Sequence, residues 1–350
     1  MPGCIGCSSV AWNLKRLDLG SQMFIDPTRL WYGRHFLSIL LAPLSWLFCA
    51  VAVGRRWAYR QGLLRSEALP VPVIVVGNIT VGGTGKTPLV CWLTGFLRRQ
   101  GFAPGILTRG YGGSGTDRPI LVTPRSDPIQ VGDEPVLLAR RGGCPVAVGP
   151  DRLAAGRLLL DRHRCDIIVT DDGLQHYRLR RDLEIAVVDG ERGLGNGRCL
   201  PAGPLREPAR RLSSVGLVVY NGRGPEDARV MHLRPGRLVN LVHAARREAL
   251  AAFRGRRVTA VAGIGNPDRF FALLRGEGLD LDTRTYGDHH AFSAGDAAQW
   301  GAGPVLMTEK DAVKCAPFAG PEFWFLPVDA DPDCGVCECL MQFIRGLDNG

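Results

Sequence analysis

Residues 75–88 read VVGNITVGGTGKTP and contain the residue types that a phosphate-binding loop requires. Its glycines let consecutive backbone N–H groups close around phosphate oxygens, and the N-terminus of a following helix adds its positive end. Lys86 supplies a cation for the terminal phosphates, and Thr87 supplies a hydroxyl for Mg²⁺. The residues expected to contact the nucleotide, foremost ATP, are Gly82, Gly83, Thr84, Gly85, Lys86 and Thr87.

One position of this loop departs from the generic pattern G-x-x-x-x-G-K-[ST]. Thr80 stands where the first glycine is expected, and the nearest upstream glycine is Gly77. The apolar run 71–76 predicts a buried strand before the loop, and an apolar-periodic helix is expected from Thr87 to about Arg99. Strand, loop and helix in this order favour a phosphate loop over a glycine-rich turn with a chance Gly-Lys-Thr.

A second apolar run, CDIIVT at 165–170, ends on Asp171 and Asp172. Carboxylates at a strand end beside a phosphate loop are typical ligands of the Mg²⁺ that accompanies a nucleotide. We therefore expect Thr87, Asp171 and Asp172 to hold Mg²⁺; the alternative is that the two acids only cap the next helix. These motifs predict a protein that binds a nucleoside triphosphate. They do not separate a kinase from a GTPase, a regulatory ATPase or an ATP-driven ligase.

Strands alternate with helices through the middle of the chain. This alternation predicts an α/β fold of the P-loop NTPase type, with a doubly wound, mostly parallel sheet. The further elements expected are strands at 103–108, 145–148, 184–189 and 215–220, and helices at 133–141 and 151–164.

The α/β pattern stops and restarts toward the C-terminus. Residues 221–257 are rich in Arg, Gly and Pro, and a new strand at 258–262 then precedes a helix from Asp268. We therefore expect an extension at 1–29, an apolar helix at 30–60, a phosphate-loop core domain at 61–244 with a ribbon linker near 225–244, and a second, smaller α/β domain at 245–350.

Residues 36–53, FLSILLAPLSWLFCAVAV, carry no charge, and Arg55 and Arg56 follow them. This length is near the lower limit for a bilayer span, and Pro43 weakens a spanning interpretation. Two interpretations remain at similar weight: a buried core helix, and a monotopic helix that lies in the membrane interface with Trp46 at headgroup depth.

Composition narrows the class of partner. The 350 residues include 43 Lys+Arg against 34 Asp+Glu, a formal net charge of +9. A basic surface favours anionic partners such as phosphorylated substrates or anionic lipid. The sequence shows no zinc-finger, RNA-recognition or helix-turn-helix pattern, which disfavours nucleic acid. Among the 11 cysteines, the group Cys334, Cys337 and Cys339 leaves a metal site or a disulfide as an alternative to simple packing.

Six further segments follow in order: TRGYGG at 108–113, VGDEP at 131–135, DDGLQHYRLRRDLEIAVVDGERGLGNGRCLPAGPLRE at 171–207, AVAGIGNPDRFF at 260–271, DHH at 288–290 and TEKDAVK at 308–314. With the phosphate loop, these segments resemble the tetraacyldisaccharide 4′-kinase family, the lipid A 4′-kinases, over roughly residues 30–330.

The resemblance implies Mg²⁺- and ATP-dependent phosphorylation of the 4′-hydroxyl of tetraacyldisaccharide 1-phosphate, which gives lipid IVA in lipid A (lipopolysaccharide) biosynthesis. It implies a monotopic or peripheral enzyme on the cytoplasmic face of the bacterial inner membrane, with no obligate protein partner. The alternative is a P-loop regulatory ATPase or GTPase that acts on a protein partner at the membrane.

The resemblance also implies roles for individual residues. Asp133 matches the family's acidic residue that activates the sugar hydroxyl, as an alcohol nucleophile requires, and His289 matches the histidine paired with it. Because these two residues belong to different predicted domains, domain closure would assemble the pair. Lys86 and Arg206 complete the implied catalytic set, with Arg206 stabilising charge on the transferring phosphoryl group. The implied substrate contacts are Arg109 and Tyr111.

Overall fold

The computed structural model describes residues 27–33, 35–115 and 118–348, so the expected extension 1–29 lies outside these residues except for its last three. The strands are β1 (Val73–Gly77), β2 (Pro104–Thr108), β3 (Ile120–Val122), β4 (Val146–Val148), β5 (Ile167–Thr170), β6 (Leu183–Asp189), β7 (Leu217–Asn221), β8 (Arg229–Pro235), β9 (Leu238–Asn240), β10 (Arg247–Glu248), β11 (Arg257–Ala262), β12 (Asp280–Thr285), β13 (Val305–Thr308), β14 (Phe323–Leu326) and β15 (Val328–Pro332). The α-helices are α1 (Pro27–Tyr32), α2 (Leu37–Leu40), α3 (Ala42–Arg60), α4 (Lys86–Arg99), α5 (Pro128–Val131), α6 (Asp133–Arg141), α7 (Arg152–Arg162), α8 (Pro267–Gly276), α9 (Ala294–Ala298), α10 (Glu309–Cys315) and α11 (Cys334–Asp348).

The larger sheet has the order β15-β8-β7-β6-β1-β5-β2-β4-β3 within the described residues. Its pairs from β8 to β4 are parallel, and only the edge strands β15 and β3 run antiparallel. Strands β1, β2, β4 and β5 are buried at every residue. Burial on both faces explains their continuous apolar sequences. The predicted α/β fold with a doubly wound, mostly parallel sheet is confirmed.

Helices cover both faces of this sheet. On one face, Leu93 of α4 and Leu340 of α11 pack in a common core with Ile74 of β1. On the other face, Leu159 of α7 packs with Val75 of β1, and part of α3 lies over the same core. The carboxyl ends of β1 and β5 are adjacent in this arrangement, so the loops that follow them meet at one edge of the sheet.

A smaller sheet of order β10-β9-β14-β13-β11-β12 has a separate core that contains Phe253 and Trp324. We call residues 238–326, which form this sheet and its helices, the smaller body. The structure departs here from the division expected at 245: β15 pairs with β8 in the larger sheet, and α11 packs on that sheet's core. The sequence pattern shows no break near 327, because the chain's return to the larger sheet depends on strand pairing and not on local composition.

The N-terminal apolar segment forms short helices followed by α3, instead of one continuous helix over 30–60. Pro43 lies in the first turn of α3, where its missing N–H costs no hydrogen bond. Large apolar side chains stay exposed along this region: Phe36, Ile39, Leu40, Leu44, Trp46, Leu47, Phe48, Val51 and Trp57. Among the described residues, no helix has the length and apolar character needed to cross a bilayer.

The C-terminal cysteines Cys334, Cys337 and Cys339 lie on α11 as free thiols. Within the described ranges, no group of three or more His, Cys, Asp or Glu side chains is arranged to hold a metal ion. The structure therefore gives the cysteine cluster neither a disulfide nor a metal-binding partner set.

Candidate active site

The phosphate loop joins β1 to α4 at the carboxyl edge of the larger sheet. Gly82 and Gly85 have φ values of 104° and 92°, which favour glycine over residues with a side chain. A Cβ on Gly85 would lie 2.7 Å from the side-chain nitrogen of Asn221. That nitrogen donates to the carbonyl of Thr84 at 3.0 Å. The path of the loop into α4 therefore depends on glycine at position 85.

The unusual Thr80 has a structural explanation. It is almost fully buried and forms an isolated antiparallel bridge with Leu205. Next to this bridge, Val81 N donates to the carbonyl of Pro204 at 2.8 Å, and Arg206 N donates to the carbonyl of Ile79 at 2.7 Å. The start of the loop is thus an extended segment, which does not require glycine and which places Arg206 beside the phosphate loop.

Lys86 is the first residue of α4, and its ammonium lies between two acceptors. It donates to Asn78 Oδ1 at 3.2 Å and lies 3.5 Å from Asp172 Oδ1. Asn78 is fully buried, and its side-chain nitrogen lies 3.3 Å from the carbonyl of Gly82. Asn78 therefore ties the lysine to the backbone of the loop, a role that the sequence did not reveal.

The two aspartates after β5 have opposite electrostatic environments. Burial, together with the nearby carboxylate of Glu134, raises the pKa of Asp171 well above its usual range. Burial acts in the same direction on Asp172, but Lys86 and Arg206 outweigh it and lower the pKa of Asp172 to about 2. Arg206 Nη1 lies 3.0 Å from Asp172 Oδ2. One carboxylate is thus paired with cations, while the other is held in a site that disfavours its charge.

This arrangement fits a divalent cation. Thr87 Oγ1 donates to Asp171 Oδ2 at 3.3 Å, and Asp171 Oδ1 is buried without a hydrogen-bond partner among the described residues. An oxygen-seeking ion such as Mg²⁺ would satisfy that carboxylate and return its pKa to the ionised range. Thr87, Asp171 and Asp172 are therefore suited to hold the ion together with nucleotide phosphates.

Asp133 and His289 meet across the two bodies. Asp133 begins α6 and is 4% exposed, and its Oδ1 lies 3.2 Å from His289 Nδ1. His289 follows β12 in the smaller body and has a φ of 61°. Burial opposes the charge of Asp133, but His289, Lys310 and Lys314 lower the pKa of its carboxyl. Burial likewise opposes the charge of His289, but the hydrogen bond that its imidazole donates to Asp133 raises the pKa of the imidazole.

Lys310, at the start of α10, links the pair to its surroundings. Its Nζ lies 3.0 Å from Glu134 Oε1, 3.3 Å from Asp288 Oδ1 and 3.3 Å from His289 Nε2. Burial opposes its charge, but Glu134 and Asp133 raise the pKa of Lys310 above its ordinary value. Lys310 thus connects the smaller body to the start of α6.

Residues around the open side of the site differ in exposure. Tyr111 is 62% exposed, and its ring centroid lies 4.9 Å from that of His289. Arg109 is exposed at the end of β2, whereas Arg152 is 2% exposed. Arg152 donates to the carbonyl of Gly149 at 2.9 Å, and its Nε is buried without a partner in the described chain. Burial, opposed by Asp172, lowers the pKa of Arg152 to about 10, so it remains cationic.

A buried hydrogen-bond network supports the segment that carries Arg206. The neighbouring Glu207 is 3% exposed and accepts hydrogen bonds from Gln175, at 3.0 Å, and from Tyr177. Gln175 also donates to the carbonyl of Asn78 at 3.1 Å. The network joins the Arg206 segment, the DDGLQH segment and the phosphate loop, so these three parts of the site are held together.

The residues selected from the sequence therefore come together at one edge of the larger sheet. The site also contains four residues that the sequence did not predict, namely Asn78, Glu134, Arg152 and Lys310. Glu134 and Lys310 stand inside VGDEP and TEKDAVK, so their segments were noted without a role for them. Asn78 and Arg152 carry no signal apart from their place after a strand, because their importance comes from burial.

A phosphate loop, two strand-end aspartates and a buried carboxylate–histidine pair define the class as a P-loop phosphotransferase. A family model described as tetraacyldisaccharide-1-P 4′-kinase (LpxK) matches residues 37–345. The chain belongs to this family.

Individual relatives cover most of the chain. A tetraacyldisaccharide 4′-kinase of Nitrosococcus oceani is 52% identical over 303 residues, 86% of this chain and 89% of the relative. One of Alkalilimnicola ehrlichii is 55% identical over 308 residues, 88% of this chain and 92% of the relative. A crystal structure of LpxK from Aquifex aeolicus in complex with ATP superimposes with a TM-score of 0.73 at 26% identity, over 88% of this chain and 99% of that one.

Proposed function

We propose that this protein transfers the γ-phosphoryl group of ATP to the 4′-hydroxyl of tetraacyldisaccharide 1-phosphate, the step that gives lipid IVA in lipid A biosynthesis. Membership of the family gives the class of reaction. The observation that carries the proposal for this chain is the buried Asp133–His289 pair. It lies near the phosphate site, because Glu134, next to Asp133 in sequence, is close enough to Asp171 to raise the pKa of that aspartate. A hydrolytic switch that only binds nucleotide has no need for a base aimed at an alcohol.

The donor half of the site is the phosphate loop with its two aspartates. Backbone N–H groups from Gly82 to Thr87 would hold the phosphates, and the ammonium of Lys86, which lies between Asn78 and Asp172, would contact the β- and γ-phosphate oxygens. Mg²⁺, when bound, neutralises charge on those oxygens. Thr87, Asp171 and Asp172 position it, and the unpaired Oδ1 of Asp171 supports this assignment.

The acceptor half contains the base. Asp133 Oδ1 is occupied by His289, whereas the buried Oδ2 accepts no hydrogen bond within the described chain and lies 3.7 Å from the ammonium of Lys314. We assign Oδ2 as the atom that accepts the proton of the sugar hydroxyl, while His289 fixes the orientation of the carboxylate. The lowered pKa of Asp133 keeps it ionised at neutral pH, as a base must be.

Cations surround the path between the two halves. Arg206 pairs with Asp172 and stands where charge develops on the transferring group. Arg109 and Tyr111 lie on the open side of the site, and Arg152 is buried behind them. The two arginines give this region a positive charge, which suits an anionic sugar substrate.

The exposed apolar side chains of α2 and α3 support a membrane-surface location. Contiguous exposed apolar surface of this kind marks a protein or membrane contact. Because the acceptor is a lipid, we assign this surface to the cytoplasmic face of the inner membrane, where α3 lies in the interface. We infer no obligate protein partner and no nucleic acid.

The test is incubation with labelled ATP, Mg²⁺ and tetraacyldisaccharide 1-phosphate in detergent. Labelled lipid that depends on Asp133 is the expected result. The matched control is Asp161→Asn, because Asp161 is an exposed carboxylate on α7 that, among the described residues, forms an ion pair with the adjacent Arg162 alone. The absence of labelled lipid in every detergent, with ATP hydrolysis retained, would instead identify a regulatory ATPase.

The membrane assignment has its own test. Replacing Leu44, Leu47 and Val51 by Ser removes apolar area from the exposed face of α3 and should move the protein from the membrane fraction to the soluble fraction. Activity on detergent-solubilised lipid should persist, which shows that the variant is folded. Unchanged partitioning would contradict the assignment.

A further inference from the structure

A cavity of about 430 Å³ opens at the C-terminal end of α3. Its wall includes Leu183, the first residue of β6, and Gly216, which precedes β7. These positions lie at the amino ends of the parallel strands, whereas the phosphate loop follows the carboxyl end of β1. The cavity is therefore separate from the active site described above.

Arginines dominate the wall. The basic residues of this arginine cavity are Arg56, Arg60, Arg180, Arg181 and Arg211. Arg56 and Arg60 come from α3, Arg180 and Arg181 from the segment before β6, and Arg211 from the turn before β7. Three separate segments thus bring positive charge to one concave surface, as a site for an anion requires.

The cavity's two carboxylates are engaged by structural partners. Glu184 lies 3.1 Å from Arg181 Nη1 and 2.6 Å from Arg211 Nη2. Asp182 accepts the backbone N–H of Val73 at 2.8 Å. Their negative charge therefore stabilises the fold around the cavity. The positive charges of Arg56, Arg60 and Arg180 are left without a carboxylate partner.

The remaining arginines have weak partners. Arg56 Nη2 donates to the hydroxyl of Ser214 at 2.6 Å. Across the described ranges, no recorded ion pair joins Arg56, Arg60 or Arg180 to a carboxylate. Burial and the neighbouring Arg211 lower the pKa of Arg56. Arg56, Arg60 and Arg180 thus present cationic donors that no carboxylate of the described residues pairs with.

The position of the cavity on α3 indicates the source of the anion. The exposed apolar residues of α3 extend to Trp57, next to Arg56 and within one turn of Arg60. An interfacial helix places arginines at its end among lipid head groups, since their stems reach along the apolar surface. This step rests on the membrane location given under the proposed function.

We propose that the arginine cavity binds the phosphate head group of an anionic phospholipid, separately from the lipid that is phosphorylated. The substrate's own 1-phosphate is excluded by distance. Strand β6 has seven residues and spans about 23 Å between the cavity and the active-site edge. That distance is longer than a disaccharide whose 4′-hydroxyl occupies the active site.

The experiment measures binding of the full chain to vesicles of phosphatidylcholine, with and without phosphatidylglycerol. The wild type should bind more tightly when phosphatidylglycerol is present. The double variant Arg60→Gln/Arg180→Gln should lose about 30-fold of the affinity for these anionic vesicles. Its binding to pure phosphatidylcholine and its activity on detergent-solubilised substrate should stay unchanged, because neither residue belongs to the active site.

The matched control is Arg125→Gln/Arg275→Gln, which removes the same net charge from exposed positions outside the cavity. An equal loss in the control and the cavity variant would overturn the proposal in favour of a diffuse charge effect. Equal binding of the wild type to both kinds of vesicle would also overturn it while leaving the membrane location intact. No binding to either vesicle would contradict the membrane location itself.

A further arm separates a lipid head group from a free anion. Titration of the wild type with inorganic phosphate alone should give binding far weaker than that of anionic vesicles, because the apolar surface of α3 contributes nothing to it. Tight binding of inorganic phosphate that is lost in Arg60→Gln/Arg180→Gln would assign the cavity to a soluble anion and overturn the lipid proposal.

Discussion

The two halves of the candidate site are built differently. The donor half comes entirely from the larger sheet, where a single glycine-rich turn and one strand end supply its central residues. The acceptor half joins Asp133 to His289, 156 positions apart in sequence, and the two lie in different bodies. The donor half is thus fixed by local backbone geometry, whereas the acceptor half exists only while the bodies stay in contact.

The largest effect is expected for Asp133→Asn. Removal of the base should lower turnover by about 10³-fold, within the range of general acid–base catalysis. ATP binding should stay near normal, because the donor half does not include this residue. Steady-state kinetics and a nucleotide-binding titration measure the two halves separately. Turnover within a few-fold of wild type would remove Asp133 from its role.

Lys86→Ala should affect both turnover and ATP binding. Loss of its cation removes contact with the phosphates in the ground state and in the transition state, so we expect turnover to fall by about 10²-fold and the KM for ATP to rise. Lys86→Arg serves as the control that keeps the charge. An Ala variant with normal ATP binding and normal turnover would be inconsistent with the phosphate-loop assignment.

Lys310→Gln tests the contact between the halves without removing a reacting group. Lys310 lowers the pKa of Asp133, so its loss should raise that pKa. Because Asp133 acts when ionised, activity should then disappear at a higher pH on acidification. The acid limb of the kcat/KM profile should move to higher pH, and at a fixed pH on that limb activity should fall roughly tenfold for each unit of the shift. An unmoved acid limb would show that Lys310 acts only structurally.

The smallest effect on chemistry is expected at Arg141, the last residue of α6. Its guanidinium donates to Glu309 Oε2 of α10 at 2.9 Å and to the carbonyl of Val328 at 2.9 Å. Arg141→Gln should lower Tm by roughly 1–2 °C, as a loss of about 1 kcal/mol does in a chain of this size. Turnover should change by less than the effect at Lys310. A clear loss of turnover without a loss of Tm would place Arg141 in the acceptor half.

The difference between the donor half and the acceptor half also explains which features could be predicted from the sequence. The phosphate loop is one contiguous stretch of sequence, and Asp171 and Asp172 directly follow an apolar run. Periodicity and residue type therefore sufficed to predict the larger fold and to propose the donor residues. Helix α6 also matches its predicted bounds of 133–141. The pairing of Asp133 with His289 came from family resemblance, because no local pattern reports a contact across that separation.

Other features depend on packing that no single segment encodes. Arg152 and Asn78 gain their importance from burial beside Asp172 and Lys86. The return of residues 328–348 to the larger sheet depends on the pairing of β15 with β8, which a change in composition does not reveal. Sequence reasoning therefore gave no signal for the point at which the chain returns to the larger sheet.

That return has a consequence for the order of assembly. The chain leaves the larger sheet after β8, builds the smaller body, and comes back at β15, where Gly236 N donates to the carbonyl of Pro327 at 2.9 Å. A ribosome therefore releases every residue of the smaller body before the edge strand and last helix of the larger one. The body that begins first is completed after the smaller one, and β8 stays an edge strand, paired with β7 alone in the larger sheet of the described residues, until β15 is synthesised.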